Sequence, residues 1–316
     1  MLELSVHICT FNPREEHLRR TLEGLKRQTL GLDRWELLLL DNASTTETAK
    51  KADLTWHPNA QYILEPKLGK TNALIHAIRH AKAPLLLTVD DDNVLEPDYL
   101  EQCLKIAAEY PKLGTFGGQI FPEYEVPPRP WARRHAVNLS VYEAKRDVWS
   151  NLPRAEFFPP GAGMCFRREV GLHYAGLVES DPMRAKLDRQ GELMVGCGDT
   201  DLAFGALDLG FGNGRFTALK MKHLIPKERT SDEGLLDLIE RTAYSFVILH
   251  HIRPESRSVA GEISMQAWRK RLFSRIDRFS KLLLPREERQ ARHAALRGVK
   301  KATQYIAKAG SSHEHR

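Results

Sequence analysis

Three consecutive carboxylates, Asp90-Asp91-Asp92, close a short apolar run, Leu85-Leu86-Leu87-Thr88-Val89. Adjacent acids repel one another and each is costly to bury, so stability alone is a poor reason to gather three at a strand end. A solvated acidic turn is the plain alternative. A strand that opens into a crevice and presents carboxylate oxygens there suits another task, the holding of a divalent cation over a phosphorylated ligand.

The elements around the triplet decide between these readings. Leu4 to Thr10 reads as a strand, and Glu15 to Thr29 as a helix with a stripe through Leu18, Leu22 and Leu25. Glu36 to Leu40 is a buried strand ending at Asp41, and Gln61 to Leu64 is a short one. Lys70 to Ala81 is a helix, Leu85 to Val89 a strand, and Pro97 to Tyr110 a helix with proline where its missing N–H costs nothing. This alternation predicts an α/β fold with a mostly parallel, Rossmann-like sheet flanked by helices. Ligands of such sheets bind beyond the carboxyl ends of the strands. Thr10 and Asn12, Asp41 and the triplet all fall on that edge.

From Phe121 to Pro160 the pattern is irregular, with seven prolines, and predicts a long excursion over one face. Asp199 to Leu209 then reads as a helix stopped by Gly210, Arg215 to Leu224 as a strand, and Gly234 to His251 as a helix. Trp268 to Leu284 is an amphipathic helix, with Trp268, Leu272, Phe273, Ile276 and Phe279 on one face and Arg and Lys filling the rest. A second basic helix follows from Glu287 to Ala307. The expected division is a domain over 1–230, with a nucleotide-binding half (1–120) and an acceptor half (121–230), and a basic helical extension over 231–316.

The chain has 316 residues, 42% hydrophobic and 28% charged, enough for a full core. No apolar stretch reaches the ~18 residues of a membrane span. The start, Met1-Leu2-Glu3-Leu4-Ser5, lacks the basic and apolar regions of a signal peptide, so the expectation is a cytoplasmic protein. Four scattered cysteines, Cys9, Cys103, Cys165 and Cys197, form no C-x-x-C pair and read as free thiols. The net charge is +6, but Trp268 to Lys301 holds twelve Lys/Arg against three acids. The rest of the chain is therefore slightly acidic, which argues against nucleic acid as a partner.

With these positions laid out, the chain resembles the family 2 glycosyltransferases of the GT-A fold class, over roughly residues 4–230. Val6-His7-Ile8-Cys9-Thr10-Phe11-Asn12 is similar to that family's opening strand, and Thr21 to Thr29 to the helix after it. Leu39-Leu40-Asp41-Asn42-Ala43-Ser44 matches its Val-Asp-x-x-Ser turn, and Gly69-Lys70-Thr71-Asn72-Ala73-Leu74 its Gly-Lys-x-x-Ala-Leu variant. The triplet stands at its Asp-x-Asp metal motif. Cys197 to Leu202 resembles its Glu-Asp-x-Asp-Leu segment, and His223 to Arg229 a histidine-containing segment beyond it. Two departures are Cys9 for the usual Pro and Gly198 for the usual Glu.

The resemblance implies inverting, metal-dependent transfer of a sugar from a nucleotide-diphosphate donor, with Mg²⁺ or Mn²⁺. It implies Asp92 and His223 at the metal, and Asp90 or Asp91 at the ribose or a metal-bound water. It places Thr10, Asn12, Asp41 and Lys70 around the nucleotide, and Arg229 against phosphate. Asp199 is the implied general base, and Asp201, in the first turn of the same helix, is the other catalytic candidate. Gly161 and Arg167 fall between donor and acceptor sites, and Trp131 is the candidate to stack on an acceptor sugar. UDP is the family-weighted nucleotide, and the acceptor a glycan or a lipid-linked hydroxyl. The 268–284 helix could then lie on the inner face of an anionic membrane. A nucleotidyltransferase is an alternative, although Thr10-Phe11-Asn12-Pro13-Arg14 has no phosphate-loop glycine. A sugar-nucleotide-binding protein without catalysis is the other.

Overall fold

The computed structural model describes residues 1–181, 183–184, 187, 196–256 and 285–311. Apolar runs buried on both faces form the first strands, as expected where helices cover a sheet on either side. These are β1 (Leu4–Thr10), β2 (Trp35–Asp41), the more exposed β3 (Ala60–Leu64), and β4 (Leu85–Val89). β1 pairs in parallel with β2 and β4, and β2 with β3. On one face, Leu18, Leu22 and Leu25 of α1 (Glu15–Lys26) join Leu100 and Cys103 of α3 (Tyr99–Glu109) over Leu4, Val6 and Ile8. On the other, Ala73, Leu74 and Ile78 of α2 (Lys70–His80) meet Val170 and Tyr174 of α4 (Arg168–Ser180) over Leu38 and Leu40.

Beyond β4 the sheet becomes mixed. β5 (Asn93–Leu95), β6 (Leu113–Tyr124), β7 (Val148–Ser150), β8 (Cys165–Arg167) and β9 (Gly212–Ile225) complete it in the order β3-β2-β1-β4-β8-β6-β9-β5, with β7 also on β9. β8 runs antiparallel to β4 and β6, β5 and β7 run antiparallel to β9, and β6 and β9 are parallel. The stretch expected to be irregular therefore opens inside β6. Gly117, Gly118 and Pro122 dilute its strand pattern, yet the pairing with β9 prevails. A Cβ on Gly118 would lie 2.1 Å from the Leu219 carbonyl oxygen, where the register shifts between Gly117 and Gln119.

The chain then adds α5 (Gly198–Asp208), the short α6 (Lys227–Thr230) and α7 (Asp232–Ile252), the last capped by Ser231 Oγ accepting from the Gly234 amide. α8 (Arg286–Ser311) packs along α7, with Arg297 and Lys301 paired to Glu240. Leu235, Ile239, Ala291 and Ala294 of this pair close over Trp131, Leu139 and Ile225. The helix expected over 268–284 lies outside the described residues. Among the described residues no helix is long and apolar enough to cross a membrane. All four cysteines are free, Cys103 and Cys165 buried and Cys9 and Cys197 half-buried.

Candidate active site

Strand register gathers the first set of groups. Thr10 is level with Asp41 across β1–β2, and Ile8 with Val89 across β1–β4, so the triplet leaves the sheet beside Cys9 and Thr10. The Thr10 hydroxyl donates to Asp91. Lys70 opens α2, where the helix dipole does not favour a cation, and its Nζ lies 2.7 Å from Asp90 Oδ1. The turn that aims it rests on Gly69 at φ 132°, whose amide donates to Asn42 Oδ1 at 2.7 Å. A cavity of about 380 Å³ opens here, lined by Thr10, Asn12, His17, Lys70, the triplet, His223 and Arg229.

β5 and β9 deliver the second half of this cavity. Their register sets His223 against Asn93, and the Leu224 amide donates to the Asp92 carbonyl at 2.8 Å. His223 Nδ1 faces the Leu139 carbonyl at 3.0 Å and so carries the proton. Nε2 then presents its lone pair, accepting from Arg229 Nη1 at 3.2 Å, and lies 3.3 Å from Asp92 Oδ2. A nitrogen lone pair and a carboxylate oxygen converging on one point form a site for positive charge, and a fixed second-nitrogen bond is how a metal-binding histidine is oriented. The Arg229 guanidinium stands at that point, 3.7 Å from Asp92 Oδ2, and where it gives way Asp92 and His223 fit a hard cation as a pair. Among the described residues no three His, Cys, Asp or Glu side chains gather as a metal cage, so further ligands would come from phosphate and water. Burial, countered by nearby Asp92, lowers the pKa of His17 on the same wall.

A second cavity, about 460 Å³, shares Lys70, Asp90, Ser140, Ala162 and Arg229 with the first and continues to Thr88, Gly161, Asp199 and the α7 side chains Asp237, Arg241 and Phe246. The Gly163 amide bonds the Thr88 carbonyl at 3.0 Å, which lays Gly161–Met164 alongside β4. Asp199 Oδ2 accepts from the Gly161 amide at 2.9 Å and Oδ1 from the Thr200 amide at 2.7 Å. A Cβ on Gly161 would lie 2.7 Å from Asp199 Oδ2, so only glycine permits this approach. Cys197, before α5, holds φ 125°, an uncommon conformation outside glycine. A hollow of similar size between α1 and residues 47–56 has acids matched by Arg19, Lys26 and Lys51 and no comparable convergence.

Several expected residues lie elsewhere. Asp201 is fully buried between Arg184 (2.6 Å) and Arg253, away from both cavities, because a carboxylate one turn into α5 points to the opposite side from Asp199. Burial opposes the Arg253 charge, but Asp208 and Asp201 outweigh it and raise its pKa. Arg167 turns back under the sheet, donating to the carbonyls of Leu113 (2.7 Å) and Ala107 (3.1 Å). Trp131 packs beneath α7 and donates from Nε1 to Asp232 at 2.9 Å, so it offers no face to a sugar. Asp41 accepts from Tyr62 (2.7 Å) and the Ser44 amide (3.0 Å) and does not line the cavity. Asn12, at φ 48°, lines the cavity but spends its side-chain oxygen on the Thr45 and Thr46 amides.

Sequence reasoning passed over His17, Asn42, Thr88 and the α7 wall. His17 had a local signal, one turn into the helix that follows Thr10 and Asn12. Asn42 stood inside a quoted motif. The α7 residues had none, since nothing in a helical stripe says that its polar side closes a distant cavity.

Comparison with known proteins bears on the fold and the family. No curated protein matches the chain. A crystal structure of S. aureus TarS 1–349 superposes with a TM-score of 0.51 at 14% identity, covering 95% of this chain and 81% of that one. At that identity the likeness shows the fold alone, a GT-A-like one. Residues 5–170 match the family model described as Glycosyl transferase family 2. That match spans more than half of the chain, which therefore belongs to glycosyl transferase family 2, with the nucleotide-sugar donor and glycan acceptor that membership implies.

Proposed function

We propose that the chain is a metal-dependent, inverting glycosyltransferase that uses a UDP-sugar and a glycan or lipid-linked acceptor hydroxyl. One observation carries this reading: two cavities with a common wall hold a cation-fitting pair in one, Asp92 and His223, and an amide-held carboxylate in the other, Asp199. Asp92 and His223 would hold Mg²⁺ or Mn²⁺, which when bound supplies positive charge to the leaving diphosphate. Asp90 and Asp91, fixed by Lys70 and Thr10, face the ribose and diphosphate. Arg229 adds a second cation at the diphosphate. Thr10, Asn12 and Lys70 frame the nucleotide, while Asp41 acts on it through the 42–46 turn.

Asp199 takes the acceptor proton as the hydroxyl oxygen attacks the anomeric carbon from the face opposite the diphosphate. Its two amide bonds keep the carboxylate aimed at the cavity. Gly161 and Ala162 leave room for the sugar between donor and base. Contact of the 268–284 segment with an anionic membrane, argued from its sequence, would bring a lipid-linked acceptor close. Equal pelleting with anionic vesicles by the full chain and by a chain ending at residue 267 would end that part of the reading.

The direct test is a thermal-shift panel of UDP-, GDP- and dTDP-sugars, each with Mg²⁺, Mn²⁺ or EDTA. Ligands that bind only the native state raise the melting temperature. UDP-sugars are expected to do so with metal and not with EDTA, and Asp92→Asn to abolish the metal-dependent part. An equal shift in EDTA would refute metal dependence, and no shift with any UDP-sugar would refute the donor.

A further inference from the structure

His7 is a histidine in the middle of a buried strand, and neither the metal nor the base accounts for it. It is fully buried on β1, level with Thr88 of β4. Its ring stands edge-on to Phe166 at 6.0 Å between centroids. Nε2 lies 2.9 Å from Thr88 Oγ1, and Nδ1 has no hydrogen-bond partner among the described residues. Burial, then nearby Lys70, depresses its pKa to about 3 against a smaller opposing effect of Asp90, so the ring is neutral at physiological pH.

A neutral ring has one proton to place. On Nδ1 it would be an orphaned buried N–H, rarer in proteins than an under-used acceptor. On Nε2 it is donated to Thr88 Oγ1. Thr88 Oγ1 then accepts from within, and its own O–H is left to point outward. Outward is the second cavity, where Thr88 sits beside Asp90, Lys70, Gly161 and Asp199. Lys70 and Asp90 there are ion-paired, and the Asp199 carboxylate is held by two amides. A hydroxyl donor among them is suited to a neutral ligand rich in acceptor oxygens.

We propose that Thr88 is a sugar-reading residue, donating a hydrogen bond to an oxygen of the transferred sugar, and that His7 is the positioning residue that turns its hydroxyl outward. This rests on the donor reading above and adds which strand reads the sugar and how. No covalent step is involved.

The test separates sugar from nucleotide. Affinities for UDP and for UDP-glucose, UDP-galactose and UDP-N-acetylglucosamine are measured by calorimetry with Mn²⁺. Thr88→Val, a near-isostere suited to a strand, should weaken the best UDP-sugar about three- to tenfold, the worth of one neutral hydrogen bond, and leave UDP unchanged. Thr88→Ser should behave as wild type. His7→Phe should lower the ratio of UDP-sugar to UDP affinity, and His7→Gln, which retains a donor, should restore it; a merely structural histidine would move both ligands together. Equal losses for UDP and UDP-sugar, or none, would overturn the inference while leaving the donor reading intact. Failure of the wild type to bind any UDP compound would overturn both.

Discussion

The two cavities are built in contrasting ways. The first is made by strand ends: Thr10, the triplet and His223 leave β1, β4 and β9 at points fixed by hydrogen-bond register. The second is made by helix starts and one helix side: Asp199 on α5, and Asp237, Arg241 and Phe246 on α7. Register here is held by continuous parallel pairing of β1 with β2 and β4, between helices that close on both faces of the sheet. Helix positions depend on what holds the helix down, and here that is a buried ion cluster. On the proposed reading, donor chemistry is wired into the sheet, while acceptor chemistry hangs on anchors remote in sequence.

Substitutions at the acceptor side should break this division most severely. Asp199→Asn is expected to lower turnover about 10²- to 10⁴-fold, the usual worth of a general base, with nucleotide affinity retained. Transfer assays beside calorimetry would check it, and retention of most turnover would remove Asp199 from the role. Asp201→Ala leaves Arg184 and Arg253 buried without their shared partner and should cost roughly 3–5 kcal/mol of stability, read from denaturant midpoints. If Asp201 were instead a second base, the fold would be spared and turnover lost.

Acid should destabilise the fold through two buried histidines. Burial depresses His7 to about 3 and His57, packed against Trp35 and Trp56, to about 4, below the ordinary value of 6.5. Below pH 6.5 the unfolded chain takes up protons that the folded one refuses. Their stabilising effect is therefore complete above that pH and is lost as pH falls through about 4 for His57 and about 3 for His7. The slope should reach about 1.4 kcal/mol per pH unit per histidine, and His57→Phe should shallow it. The smallest effect is expected at Trp131→Phe, a loss of roughly 1 kcal/mol for one hydrogen bond to Asp232, with transfer unchanged. A strong drop in activity there would return Trp131 to the acceptor site.

The same division explains what could be read in advance. β1, β4 and the starts of α1 and α2 were legible to the residue, since each is a local run ended by a polar or glycine signal. The strand-end acids followed directly. β8 and α4 escaped notice because three residues of strand and a helix opening at Arg168 carry little pattern of their own. Arg167 was misplaced because a motif gives a position in the chain and not a direction for a side chain. Asp199 and Asp201 show the limit most clearly: two acids, two residues apart, one facing the cavity and the other locked between arginines. Only the tertiary partners Gly161, Arg184 and Arg253 distinguish them.

Those partners also bear on where the working unit stops. Arg253 lies just past α7, well beyond a boundary at residue 230, yet it grips Asp201 and Asp208 and so moors the helix that carries Asp199. A fragment cut at 230 would keep every strand of the sheet and lose the mooring. It should bind nucleotide and transfer poorly, an enzyme with its grip intact and its aim gone.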